Sequence, residues 1–378
     1  MGAEKFGMPT VGIIGGGQLG RMTALAAHRL GIAVVLLDPD PYCSAAQVVP
    51  RMIVAPFDDP EALEQLATSV DVVTYENEWL NPEQLGSLER QGYKVRPSAY
   101  TLARIQDKFF QRTDLQKAGL PVPVFAAVDS LADLEAWVVE QGFPVVIKMR
   151  VQGYDGRGVR IAHTRAQLVD AWAALSHQPL LAEAFVPFTK ELAVMVARSE
   201  LGEVGAYPVV ETVQKNNVCH TVSVPADIDA LIAEKCRDLA CAAVECFDGV
   251  GIFGIELFLK EDGIVLINEL APRPHNSGHY SLDACLTDQF EQYLRAIFGL
   301  PLGATALHSP AAAMVNILGE ESMHLDLKAI LDFDVHLHWY GKPESRPGRK
   351  LGHMNAVGKD PKAALAKVLA AHQRLGFS

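Results

Sequence analysis

The hydrophobic pattern opens with the apolar run TVGII, breaks at GGGQLG, and continues as an amphipathic stretch and a second apolar run, AVVLL. Strand, glycine turn, a helix from about Leu19 to Leu30 and a strand ending at Asp38 make a βαβ unit. A further strand in VDVVTYENE completes an α/β layer of about 100 residues, and open parallel sheets of this kind carry their sites at the carboxyl edge. Next, ARIQDKFFQRTDLQKAGLPVPVF reads as one helix beginning near Ala103, stopped by Gly119 and Pro121 and followed by a strand. A helix from Leu131 to Gln141 precedes the strand FPVVIKMR, and PLLAEAFVPFTKELAVMVAR reads as two strands joined by a turn. In GVGIFGIELFLKEDGIVLINEL two apolar strands flank KEDG, with Asp262-Gly263 as a hairpin turn. A four-residue loop pairs Leu259 with Ile264 and Glu256 with Ile267, leaving Glu269 diagonal to Glu256 on the same face.

Length and composition narrow this picture. A chain of 378 residues exceeds what one core supports, so two or three packed units are expected. With 49% hydrophobic and 21% charged residues, and no apolar run approaching the roughly 20 residues of a membrane helix, it is not expected to span a bilayer. The start, MGAEKFGMPT, lacks the pattern of a secretory signal. Six cysteines are scattered without C-x-x-C spacing, which indicates neither a disulfide framework nor a zinc site and fits a reducing cytoplasm. The formal charge of −12 argues against a nucleic-acid partner but leaves room for a small anion held by local basic clusters.

The candidate chemistry lies in the loops. Gly15, Gly17 and Gly20 match G-x-G-x-x-G, with Asp38 placed to hold a ribose hydroxyl; the pattern serves a dinucleotide or any other phosphorylated ligand equally. VQGYDGRGVRIA sets Gly153, Gly156 and Gly158 between two strands, as a flap over a triphosphate would be, with Lys148 a few residues upstream to neutralise phosphate. Glu183 and Glu191 alone read as solvated edge charges. Beside Lys148 and the flap, EAFV reads as a hinge whose backbone meets an adenine edge while an acidic residue takes ribose hydroxyls. Glu256 and Glu269 on one face of an apolar hairpin need a cation between them, which magnesium supplies, with Asn268 completing the shell. Arg273, His275 and Asn276 follow in a proline-broken loop, and Arg346, Arg349 and Lys350 form a second basic cluster that suits a ribose phosphate or a solvated loop.

Taken together, IKMRVQGYDGRG, EAFVPFTKE, the Glu256/Glu269 hairpin and NELAPRPHNSGHY resemble the ATP-grasp superfamily. Within it, GGGQLGRM, GYDGRG, APRPHNSGHY, HLHWYGK and RPGRKLGHMN, spread over residues 11 to 355, are similar to the 5-(carboxyamino)imidazole ribonucleotide synthase family. The resemblance implies an ATP-grasp fold of mixed α/β and α+β character. A Rossmann-like N-terminal domain (1–103), a small lid (104–187) and a C-terminal antiparallel-sheet domain (188–378) surround a cleft. It implies ATP- and bicarbonate-dependent carboxylation of 5-aminoimidazole ribonucleotide in purine biosynthesis, with two magnesium ions, in a cytoplasmic homodimer without nucleic-acid or membrane partners. Another ATP-grasp ligase, such as a formate-dependent glycinamide ribonucleotide transformylase, is the alternative.

Carried over by motif, the nucleotide falls to Arg104, Lys148, the flap (Gly153, Tyr154, Asp155, Gly156, Arg157, Gly158, Val159), the hinge (Glu183, Ala184, Phe185, Val186), Glu191, Gln214, Asn268 and Glu269. Metal falls to Glu256 and Glu269. The acceptor and carboxyphosphate fall to Gly17, Gln18, Leu19, Glu76, Tyr154, Asp155, Arg157, Arg273, His275, Asn276, Arg349 and Lys350, of which Asp155, Arg273, His275 and Lys350 are the implied catalytic groups. The family often has E-N-x-H where this chain reads Glu211, Thr212, Val213, Gln214, and the acidic stretch TYENEWL leaves open which of Glu76 and Glu78 faces substrate.

Overall fold

The computed structural model of the chain describes residues 7–151, 153, 158–215, 217–321, 323–324, 328, 330 and 332–377. Among these, the chain forms three main sheets and a two-stranded ribbon. The first sheet holds β1 (Thr10–Ile14), β2 (Ala33–Leu37), β3 (Met52–Ile53) and β4 (Val72–Tyr75) in the order β3-β2-β1-β4, all parallel. Its strands are near-continuous apolar runs because both faces are covered. The carboxyl ends of β1 and β4 put the glycine turn beside Glu76 and Glu78.

The helix expected from Ala103 is two helices, Ala99–Gln106 and Lys108–Lys117. Asp107 stands between them with an extended backbone (φ −91°, ψ 111°) and caps the second by accepting from the Phe109 N–H at 2.9 Å. Arg150 grips the same carboxylate at 2.6 Å. The break re-aims the chain, with a consequence for the site described below. Leu102 joins the core of the first sheet while Ile105 joins a core under the large sheet, so a boundary between 103 and 104 falls inside a helix that serves two cores.

The second sheet, β5 (Phe125–Val128), β6 (Val145–Met149), β7 (Val159–Ala162) and β8 (Leu180–Ala184), runs β5-β8-β6-β7 and is antiparallel. Val145, Ile147 and Ala182 pack with Leu134 and Leu168 of two covering helices as a core of their own. By the two-residue period, Val146, Lys148 and Glu183 face the other way, toward the cleft.

The third sheet takes β9 (Phe188–Arg198), β10 (Val204–Ala206), β11 (Val210–Lys215), β12 (Val218–Val224), β13 (Gly251–Lys260), β14 (Val265–Ala271), β15 (Ala311–Leu318), β17 (His336–Trp339) and β18 (Lys350–Gly358). Its order is β14-β13-β9-β11-β12-β15-β18-β17, with β10 on β9; the short β16 (Met323–His324) pairs separately with β19 (Gly376–Phe377). One continuous core joins Val11, Ala24 and Ala27 of the N-terminal layer to Met195, Tyr280, Phe290 and Met314. The first and third units are therefore fused through shared apolar packing, whereas the second has a separate core.

Candidate active site

A cleft of about 450 Å³ lies between the second sheet, the third sheet and the glycine turn. The strand period puts Glu256 and Phe258 of β13 on its wall, while Ile255, Leu257 and Leu259 point into the core behind. The register of β14 differs from the expected one: Glu256 lies directly opposite Glu269, and Leu257 opposite Ile267, so Asn268 is an extra residue in a β-bulge. A bulge lets two successive side chains share a face. Asn268 and Glu269 thus both reach the cleft while Ile267 and Leu270 stay in the core. Sequence spacing alone could not reveal the bulge.

Two networks of charge occupy this floor. At one end Glu183, 2% exposed, receives Arg112 Nε at 2.7 Å and Lys148 Nζ at 2.5 Å. Burial would raise its pKa, but Arg112 and Lys148 outweigh that and hold it at about 2. Lys148 in turn donates to Asn268 Oδ1 at 3.3 Å, and Asn268 Nδ2 donates to Glu256 Oε2 at 3.2 Å. At the other end Glu256 is pushed up to about 7, by burial first and then by Glu269 and Glu191. Glu269 is held below its ordinary value despite burial, chiefly because Lys108 approaches its Oε1 at 2.6 Å. Glu191 is raised by burial and bonds Gln214. An oxygen-only set that repels itself when charged, opened toward a nucleotide-sized cleft, fits magnesium.

Basic groups line the far end. Arg273 is clasped by both oxygens of Glu78, Nη2 at 2.9 Å. His275 Nε2 lies 3.5 Å from Glu256 Oε1. Asn276 exchanges two hydrogen bonds with Asn316 of β15, at 3.1 and 2.9 Å, and Lys350 begins β18.

Comparison with known proteins decides the family. The ribonucleotide synthetase preATP-grasp domain family matches residues 8–106, the ATP-grasp domain family residues 113–290, and the phosphoribosylaminoimidazole carboxylase C-terminal domain family residues 312–367. The chain is 46% identical over 349 residues to the N5-carboxyaminoimidazole ribonucleotide synthase of Synechococcus elongatus, covering 91% of this chain and 88% of that one. The chain belongs to the N5-carboxyaminoimidazole ribonucleotide synthase family. The synthetase structure from Thermotoga maritima superposes with a TM-score of 0.88 at 46% identity, over 97% of this chain and 99% of that one. The synthase of Aspergillus clavatus, solved with ADP and 5-aminoimidazole ribonucleotide, gives 0.90 at 34% identity, over 97% and 98%. The chain spans 66% of a longer relative named phosphoribosylaminoimidazole carboxylase from Ogataea methanolica.

In this member of the synthase family the cleft gathers most of the residues that sequence motifs nominated. Gln18, Leu19, Lys148, Gly153, Val159, Glu183, Ala184, Phe185, Val186, Glu191, Gln214, Glu256, Asn268, Glu269, Arg273, His275, Asn276 and Lys350 all line it. Tyr154, Asp155, Gly156 and Arg157 lie outside the described residues. Other nominated residues stand off the cleft or are already paired within the chain. Arg104 does not line the cleft; it is paired with Asp114 at 2.5 Å and lies over the Phe110 ring. Lys108, four residues on and turned by the break at Asp107, faces the cleft instead. Glu183 is buried and bound by two cations, whereas Glu191 faces the cleft without an ion pair among the described residues. In the glycine turn three amides are already taken: Glu76 accepts from Gly17 N at 2.5 Å and Gly20 N at 2.7 Å, and Asp38 accepts from Gly16 N at 2.6 Å. A Cβ on Gly17 would lie 2.4 Å from Glu76 Oε1, so the close approach requires glycine. Of Glu76 and Glu78, Glu76 is bonded to the glycine turn and Glu78 lines the cleft. Gly158 and Arg349 are also not among the lining residues. Sequence reasoning overlooked Lys108, His279 and the stacked pair Phe188/Phe258, whose rings are 4.7 Å apart and 4° from parallel. Lys108 hid inside an apparent helix, although D-K after a helical run is an N-cap signal.

Proposed function

We propose that the protein is an ATP-dependent carbon–nitrogen ligase. It carboxylates the exocyclic amine of 5-aminoimidazole ribonucleotide with bicarbonate, giving N5-carboxyaminoimidazole ribonucleotide, ADP and phosphate. The observation that carries this reading is one cleft lined both by Lys148, Glu191, Glu256 and Glu269 and by Arg273, His275, Asn276 and Lys350. A phosphoryl donor and an anionic acceptor can meet there. The resemblance to a protein crystallised with ADP and 5-aminoimidazole ribonucleotide supports the pairing of ligands.

The base of ATP rests by the hinge Glu183–Val186 and the apolar wall of Phe188 and Phe258, with Glu191 at the ribose. Glu256 and Glu269, with Asn268 beside them, would hold magnesium, expected as two ions, which would supply neutralising charge to the nucleotide phosphates. A bicarbonate oxygen attacks the γ-phosphorus as its bond to ADP breaks, giving carboxyphosphate, and Lys148 and Lys108 stabilise the transferring group. The amine nitrogen then bonds the carboxyl carbon or the CO₂ released from it, phosphate departs, and Asp155 takes the amine proton. Arg273 and Lys350 meet the developing phosphate and carboxylate, with His275 beside Glu256. Carboxyphosphate hydrolyses readily, so closure of the lid, residues 104–187, excludes water. Cytoplasmic location and homodimeric assembly belong to the same proposal and rest on the family resemblance alone; sedimentation tests the latter.

The deciding experiment measures ADP release with magnesium and ATP at controlled bicarbonate, with and without 5-aminoimidazole ribonucleotide. Release that requires the ribonucleotide, together with bicarbonate-dependent loss of its free amine, establishes the reaction. Stimulation by formate and glycinamide ribonucleotide instead transfers the chain to the transformylase reading. For Asp155→Ala, near-normal turnover removes that residue from proton transfer.

A further inference from the structure

Behind the acceptor end of the cleft, a buried amide fixes the protonation of a histidine that the scheme above does not use. Gln289 is fully buried. Its Oε1 accepts from the backbone N–H of His275 at 2.9 Å, and because a backbone N–H can only donate, this sets which end of the amide is oxygen. Its Nε2 therefore donates, to the His275 carbonyl at 3.0 Å and to Nδ1 of His279 at 2.8 Å. A ring nitrogen that accepts carries no proton, so the proton of His279 resides on Nε2. Gly278 makes the arrangement possible, since a Cβ there would stand 2.7 Å from Gln289 Oε1.

His279 is 1% exposed yet lines the cleft together with Arg273, His275 and Lys350. Its Nε2 has no protein partner among the described residues and, unlike Nε2 of the neighbouring His353, is not sealed away from solvent. Burial, reinforced by the nearby His275, Lys350, His338 and Arg273, holds the ring well below the ordinary histidine range, so it stays neutral. A neutral ring with Nδ1 held by an N–H donor cannot act as a base through Nε2; it can only give a hydrogen bond there. A cleft end that already holds Arg273 and Lys350 gains direction from such a donor without further charge.

We propose that His279 is a substrate-facing donor whose Nε2–H meets an oxyanion at the acceptor end of the cleft, with Gln289 as the positioning residue that locks its tautomer. The oxyanion belongs to the acceptor's phosphate or to the carboxyl group being transferred. Its identity rests on the carboxylation reading; the tautomer does not.

The test begins with nitrogen-15 NMR of the full chain, the His279 signals being assigned by their loss in His279→Gln. The expected result is a neutral Nε2–H imidazole through about pH 6 to 8, with the Nε2 signal shifting when inorganic phosphate is added. In Gln289→Glu the carboxylate draws the proton to Nδ1, and the signals should change to the other tautomer or to imidazolium. In steady state, His279→Leu should raise a KM by roughly 10-fold or more, with His279→Gln recovering part of the loss because its amide returns an N–H near the same point. A change in the KM for the ribonucleotide assigns the oxyanion to its phosphate. A change in the KM for bicarbonate, with ADP released without carboxylation, assigns it to the carboxyl group. An Nδ1–H or imidazolium ring in the unmodified protein overturns the proposal, as does a folded His279→Leu that keeps both KM values. If the unmodified protein shows no response to the ribonucleotide, the carboxylation reading fails, while the NMR and the phosphate titration still decide the donor.

Discussion

Glu183 and Glu256 are glutamates in the walls of the same cleft, joined through Lys148 and Asn268, yet the protein treats them oppositely. Glu183 is held at about 2 because Arg112 and Lys148 are folded against it. Glu256 is raised to about 7 by burial, Glu269 and Glu191, and Lys108, which opposes the rise, is paired with Glu269. At one end the countercharge is part of the chain. At the other it is not, so the proposed phosphate-positioning lysine comes with its charge fixed while the proposed metal site would gain its countercharge with the ligand.

The comparison breaks most severely at Arg112. Arg112→Met leaves a deeply buried carboxylate with half its countercharge, and urea unfolding should show a loss of about 3 kcal/mol or more. Glu256→Gln attacks the other end and should separate stability from activity. Turnover should fall at least about 100-fold with the loss of a proposed metal ligand, while the metal-free protein melts at the same or a higher temperature because one of two repelling carboxylates is gone. A drop in both would assign Glu256 a structural role.

The pH dependence sharpens the contrast because the signs are opposite. Glu183 lies below its ordinary value of 4.5, so its stabilisation is present above about 4.5 and is lost as pH falls toward 2. Glu256 lies above 4.5, so the stability it contributes is complete below that value and is lost as pH rises through about 7. In the metal-free protein the melting difference between Glu256→Gln and the unmodified chain should therefore grow from about pH 5 to 8, and magnesium with ATP should reduce it. A difference independent of pH would remove the raised pKa from the explanation. The smallest effect is expected at Arg346, an exposed residue paired with exposed Glu344. Arg346→Ala should change stability by no more than about 0.5 kcal/mol and leave the KM values for the ribonucleotide and bicarbonate as they were.

Much of the fold was readable because its signals are local. The Gln18–Arg29 and Leu131–Gln141 helices, the apolar β1 and β2, and the KEDG hairpin each follow from periodicity and turn chemistry within a short window. Motifs found the cleft for the same reason, since Lys148, Glu191, Glu256 and Glu269 sit at fixed positions in recognisable strands. What the motifs did not show has a different cause. Arg104 and Lys108 differ in placement because Asp107 interrupts the helix, and Arg150, 43 residues away, grips Asp107. The glycine turn gave no sign that two of its amides are taken, because their acceptor, Glu76, follows another strand, 59 residues beyond Gly17.

The sequence by itself determined which residue types were available: an oxygen-rich pair for a metal, a lysine before a glycine flap, a basic loop for an anion, and alternations that send them to one side of a sheet. Tertiary structure decided which of them are free. Asn268 inserts a bulge that turns Glu269 to face Glu256, Arg112 claims Glu183, Glu78 clasps Arg273, and Gln289 sets the proton on His279. These outcomes depend on partners distant along the chain, and the energy of a buried charge or hydrogen bond is fixed by what stands within a few ångströms of it, not by its neighbours in sequence.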